Sequence, residues 1–172
     1  MKIAVIGNAA GGKTWLSRRL AARHQIPLFH VDSIQFDGEL RMRPHRESAE
    51  TLRAIAATKP EWIIDGYGPL DTVLERLALA DLIVFIDLPL VRHLGWLLKR
   101  QFTSLWHRRP ELPPGHASEF RWAHMRKVIQ YMLSQHRQMR PEMIRILARE
   151  ALSSKVHTIR SVAELRRYGA KL

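Results

Sequence analysis

Short apolar runs alternate along this chain with longer stretches whose apolar positions recur at helical spacing. The first run, Lys2-Ile3-Ala4-Val5-Ile6, is rich in β-branched residues and predicts a strand. Trp15 to Ala22 follows as a helix, with Leu16 and Leu20 on one stripe. Ile26 to Asp32 reads as a second short strand ending in an acid, and Ser33 to Pro44 as a polar loop. Arg46 to Thr58 carries Leu52, Ile55 and Ala56 at helical spacing until Lys59-Pro60 stops it. A third strand, Glu61 to Asp65, is broken by Gly66-Tyr67-Gly68-Pro69, and a helix runs through Asp71 to Leu77. Leu82 to Ile86 is apolar on both faces, as a central parallel strand covered by helices must be, and Asp87-Leu88-Pro89 ends it.

The second half is more helical. A helix from about Leu90 to Phe102 leads into a segment with Pro110, Pro113, Pro114 and Gly115, the natural place for a flexible excursion. Helical patterning resumes near Ser118 and continues to about Ala151, with a bend expected near Pro141. Val156 to Ile159 is a fifth strand, and Ser161 caps a terminal helix. Strands alternating with helices predict a single doubly wound α/β domain with a parallel sheet.

Between the first strand and first helix lies Gly7-Asn8-Ala9-Ala10-Gly11-Gly12-Lys13-Thr14, the phosphate-cradling pattern G-x-x-x-x-G-K-T. A strand-loop-helix joint is where such a loop works, because successive backbone N–H groups and the positive helix end face an anion. The pattern assigns Gly7 to Thr14 to a nucleoside triphosphate, with Lys13 on the β- and γ-phosphates and the Thr14 hydroxyl on Mg²⁺.

In a doubly wound sheet, ligands bind beyond the carboxyl ends of the strands. Gly7, Asp32, Asp65 and Asp87 each close a predicted strand, so the loop and three carboxylates are expected along one edge. Phosphoryl transfer needs an acid for the metal and a group that orients the nucleophile. Asp65, followed by a glycine that lets the chain turn away, is the magnesium candidate, with Asp87 competing. Asp32, farther along the edge, is the candidate to take the acceptor hydroxyl's proton.

Composition adds one fact that changes the picture. The net charge of +12 over 172 residues is confined to the second half: residues 1–91 hold 11 Lys+Arg against 11 Asp+Glu, residues 92–150 hold 12 against 4, and residues 151–172 hold 5 against 1. Such segregation points to phosphate-bearing ligands. Arginines on a closing lid can neutralise a transferring phosphoryl group, and Arg100 is the first candidate, with Arg137 and Arg140 next. Trp106 and Trp122 among these cations also permit base stacking, which keeps nucleic acid as a partner. The histidines form no carboxylate-rich metal pattern. The chain has no cysteine, its apolar start is too short for a signal peptide, and no run reaches membrane-spanning length, so a cytoplasmic protein is expected.

The ordered set Gly7 to Thr14, His30-Val31-Asp32, Trp62 to Tyr67, Ala80 to Pro89 and Arg100 resembles the nucleoside- and nucleotide-kinase branch of P-loop proteins, related to adenylate kinases and most like DNA-topology-modulation-type ATPases. That resemblance implies a five-stranded sheet in order 2-3-1-4-5, ATP and Mg²⁺ as ligands, and a lid-like insertion at about 100–121 between the fourth and fifth strands. Asp65-Gly66-Tyr67 matches the Asp-Gly-Phe-Pro-Arg element of adenylate kinases, but Gly68-Pro69-Leu70 follows, without the arginine that grips the acceptor nucleotide. The leading expectation is a kinase whose acceptor is unspecified. The alternatives are a nucleic-acid-associated ATPase or 5′-hydroxyl polynucleotide kinase, and a nucleotide-sensing regulator without an acceptor.

Overall fold

The computed structural model describes residues 1–37, 41–104 and 122–171, with side chains throughout except at 100–104, 122–125 and 171. The elements within them are β1 (Lys2–Gly7), α1 (Lys13–His24), β2 (Leu28–His30), α2 (Val31–Gln35), α3 (His45–Thr58), β3 (Trp62–Asp65), α4 (Leu70–Leu79), β4 (Leu82–Ile86), α5 (Leu90–Ser104), α6 (Trp122–Ser134), a π-helical turn (Gln135–Met139), α7 (Arg140–Leu147), α8 (Glu150–Ser153), β5 (Val156–Ile159) and α9 (Val162–Lys171).

The strands form one five-stranded sheet in order β2-β3-β1-β4-β5, all pairs parallel. Being covered on both faces, the strands are apolar at successive positions rather than at alternate ones. In β1, Ala4 and Ile6 face a layer built on Leu52 and Ala56 of α3, Val73 and Leu77 of α4, and Met143 and Ile146 of α7. Ile3 and Val5 face the opposite layer, with Leu16 and Leu20 of α1 and Leu165 of α9. All of these side chains are buried, and each contributes about 1.5–3 kcal/mol when large and aliphatic. Central strands β1, β3 and β4 are thereby fixed, and their carboxyl ends carry the loops that matter.

Three local features depart from the sequence pattern. Asp32 does not close a strand: β2 stops at His30, and Asp32 lies in the first turn of α2, because Val31 turns into the core and starts a helix. The segment expected as a polar loop therefore opens with α2, and Phe36 then forms an antiparallel bridge with Met42. The irregularity expected near Pro141 is a π turn at Gln135–Met139, where the Arg140 N–H reaches the Gln135 carbonyl. Pro141 has no N–H to continue the ordinary ladder, so the widened turn precedes it. Among the described residues, no helix is long and apolar enough to cross a membrane.

Candidate functional site

The loop after β1 has the backbone that the glycine pattern requires. Gly7 has φ 150°, and a Cβ there would lie 2.5 Å from the Ile86 carbonyl oxygen, so β1 and β4 approach this closely only with glycine. Gly12, at φ 82°, is the left-handed residue from which α1 starts, where a Cβ would meet Leu165 at 2.9 Å. α1 therefore begins at Lys13 with its free N–H groups facing into the loop.

The loop is braced from three directions. Lys13 Nζ donates to the Asn8 carbonyl at 2.9 Å, folding back over its own loop. The Asn8 side chain accepts from Ala9 N at 2.7 Å through Oδ1, and its Nδ2 donates to the Met132 carbonyl of α6 at 3.1 Å. Below the loop sits His93 of α5, 1% exposed, with Nδ1 2.8 Å from the Ala9 carbonyl and Nε2 3.2 Å from the Leu88 carbonyl. Charging the ring would suit both carbonyls. Burial outweighs them, assisted by the charges of Lys13 and His136, and holds the His93 pKa below its ordinary value.

Thr14, one residue into α1, donates from Oγ1 to Asp65 Oδ2 at 3.0 Å. Asp65 is the last residue of β3 and is 4% exposed, and the same oxygen lies 3.1 Å from His30 Nδ1 at the end of β2. Asp87, the competing acid, is engaged otherwise. Arg140 of α7 grips it with Nε at 2.6 Å and Nη2 at 2.9 Å, a fork that raises the Arg140 pKa. Thus Asp65 and not Asp87 is brought to Thr14.

The turn after β3 is set by a buried arginine. Arg76 of α4 is 2% exposed; its Nε donates to the Thr72 carbonyl at 3.1 Å, its Nη1 to Gly66 at 3.3 Å, and its Nη2 to the Tyr67 carbonyl. Burial lowers its pKa to about 10. Tyr67, held at the edge by this clamp, keeps its phenolic proton well above the usual range, through burial first and then the charge of Asp87 and the neighbouring Tyr131. Burial, followed by the carboxylate of Asp32, likewise raises Tyr131.

The sequence-derived candidates therefore separate into groups. Gly7 to Thr14 and Asp65 converge at one point, joined there by His30, to which the sequence had assigned no role; Arg140 stands nearby on Asp87, exposed Asp32 follows His30 in α2, and exposed Arg137 lies in the π turn. Arg100 is in α5, but its side chain, those of Trp106 and Trp122, and residues 105–121 of the lid-like insertion expected at about 100–121 lie outside the described residues. Sequence reasoning did not single out His93 or Arg76. His93 shares a stripe with buried Leu97, and Arg76 sits between Val73 and Leu77, so each occupies an apolar face where a polar residue needs a partner.

A glycine loop feeding a helix at a parallel sheet's edge, with a strand-end carboxylate on the loop's threonine, is the arrangement of a P-loop α/β domain. The solved structures agree. Shikimate kinase from Acinetobacter baumannii, in complex with shikimate, superimposes with a TM-score of 0.60 at 15% identity, covering 99% of this chain and 89% of that one. Shikimate kinase from Bacteroides thetaiotaomicron gives 0.51 at 14% identity, covering 99% and 95%. An uncharacterized protein from Eubacterium ventriosum gives 0.53 at 14%, covering 99% and 94%. The chain shares the fold of these proteins. No family model matches it, and no curated protein matches it in sequence.

Proposed function

We propose that the chain is an ATP-dependent, magnesium-requiring phosphotransferase that moves the γ-phosphoryl group to a hydroxyl of a small molecule. The observation that carries this reading is the 3.0 Å hydrogen bond from Thr14 Oγ1 to Asp65 Oδ2 at the foot of the loop. Both groups are hard oxygen donors of the kind magnesium takes together with water and phosphate oxygens, so the residues present fit the ion. When bound, magnesium supplies neutralisation of charge on the β- and γ-oxygens. Lys13 exchanges the Asn8 carbonyl for phosphate oxygens, and the N–H groups at the start of α1 hold the rest of the triphosphate. Asp32 receives the acceptor's proton, while Arg137, Arg140 and Arg100 cover the transferring group and limit water.

Two of the similar solved structures are shikimate kinases, one of them holding shikimate, which supports a small-molecule acceptor over a polymer. We place the activity in the cytoplasm, in keeping with a cysteine-free chain. The test is calorimetric titration of the protein with MgATP, beside Lys13→Ala, followed by an acceptor screen with γ-labelled ATP. Saturable binding that weakens about tenfold or more in the variant is expected. Native protein that takes up no MgATP would sink the reading.

A further inference from the structure

His93 of α5 meets the glycine loop at two places. Its Nδ1 lies 2.8 Å from the Ala9 carbonyl, and a Cβ added at Gly11 would stand 3.0 Å from its Cε1. Across a trans peptide the carbonyl and the next N–H point in opposite directions. Holding the Ala9 carbonyl down on the ring therefore turns the Ala10 N–H away from α5. The ring closes that side of the loop, so an anion enters from the other, where this N–H is aimed. Ala10 has φ 53°, a left-handed conformation that a residue with a Cβ keeps only when its surroundings impose it. His93 on the Ala9 carbonyl, with the Asn8 side chain on Ala9 N at 2.7 Å, supplies that constraint.

The second ring nitrogen makes His93 more than a brace. Nε2 lies 3.2 Å from the Leu88 carbonyl, just past β4, and the side chain is 1% exposed, so water does not stand in for a partner. A neutral imidazole has one N–H. It satisfies one of the two carbonyls and turns a lone pair on the other, whereas the imidazolium donates to both. Among the described residues, the charged or titratable groups facing the ring are Lys13 at the start of α1 and His136 in the π turn, while Asp87, next to Leu88, is forked by Arg140. Burial and these two cationic neighbours favour the neutral ring. A triphosphate reverses that balance, because it brings negative charge onto the loop and draws Lys13 onto phosphate oxygens.

We propose that His93 is a positioning residue of the nucleotide site, aiming the Ala10 N–H at the phosphates, and that its ring takes up a proton from solvent as MgATP binds. The ring then donates to the Ala9 and Leu88 carbonyls together, and it gives the proton back when the nucleotide leaves. Donor binding is thereby tighter at lower pH. This rests on the MgATP site proposed above and holds whatever the acceptor.

Calorimetry of the full-length protein with MgATP, in buffers of different ionisation enthalpy near pH 6.5, counts the protons taken up per nucleotide bound; His93→Gln, which cannot titrate, subtracts those taken up by ATP itself. The native protein should exceed the variant by about half a proton, and its MgATP affinity should gain about fivefold on the variant's between about pH 8 and about pH 6. In NMR spectra of the native protein, which need no variant, the His93 ring nitrogens should move from the neutral to the imidazolium pattern when MgATP is added. His93→Leu, which offers neither carbonyl a donor, should weaken MgATP binding about tenfold even at about pH 8, with much of the loss recovered in His93→Gln. Equal proton counts in native protein and His93→Gln, ring signals that stay neutral with MgATP bound, uptake that disappears in His136→Gln instead, or a His93→Leu variant that binds as tightly as native each overturn the proposal and leave the nucleotide site standing. Native protein that binds no MgATP overturns the phosphotransferase reading together with this one.

Discussion

Replacing Arg76 by methionine removes a cation from the protein interior and should nevertheless destabilise it. The guanidinium is 2% exposed and is surrounded by carbonyls of Gly66, Tyr67 and Thr72, with no carboxylate among its hydrogen-bond partners. Burial lowers its pKa from 12.5 to about 10, which corresponds to roughly 3 kcal/mol of desolvation that the methionine variant escapes. Against this, each hydrogen bond from a charged donor contributes about 1.5–3 kcal/mol, so losing three costs about 4.5–9 kcal/mol. The net loss is about 2–6 kcal/mol. For a chain of this size that is a fall in Tm of about 4–24 °C. Methionine keeps most of the stem's volume, so cavity formation adds little. Thermal and urea melts followed by far-UV circular dichroism give the number directly. An Arg76→Met variant within about 0.5 kcal/mol of the native protein would refute the reasoning, since the carbonyls of the Gly66–Pro69 turn would then need no clamp.

Two further outcomes follow from the loop itself. Gly7→Ala forces a methyl group to 2.5 Å from the Ile86 carbonyl oxygen, which is backbone and cannot rotate away; stability should fall by about 1–3 kcal/mol and MgATP affinity with it, read by melting and calorimetry. His93 titrates below its ordinary value when folded, so the unfolded chain takes up its proton more readily. Its contribution to stability is complete above about pH 6.5 and is lost as the pH falls from there through the lowered folded value. Urea denaturation at stepped pH should show this loss in the native protein and a shallower slope in His93→Gln; identical slopes would count against a buried neutral ring under the loop.

The parts of this fold that were legible in the sequence are those written as local pattern. β1, β3 and β4 are apolar runs bounded by turn residues, and the glycine spacing from Gly7 to Thr14 names its own loop. The meeting of Thr14 and Asp65 was also within reach, because a parallel sheet gathers strand ends on one edge. Asp32 was misplaced by a single buried side chain: Val31 reads equally well as the end of a strand or the start of a helix. The bracing of the loop was out of reach for a different reason. His93 and Arg76 bond to main-chain carbonyls, as does Asn8 to Met132, and carbonyls carry no residue signature. Asp65 was already the preferred acid in the sequence, from the glycine that follows it; what lay out of reach was the hold on Asp87 by Arg140, 53 residues away.

The π turn at Gln135–Met139 lies between two points at which one helical run is fastened to the sheet's edge: the Met132 carbonyl, held by Asn8, and Arg140, held on Asp87. Eight residues of uninterrupted α-helix would separate two positions by about 80° around the axis, whereas seven leave about 20°. A π turn absorbs one residue, so the eight-residue spacing behaves as seven and both fastenings face the same way. The widened turn acts as a spacer that corrects phase, and the helix can touch the glycine loop and the neighbouring strand end together only while that extra residue remains looped out.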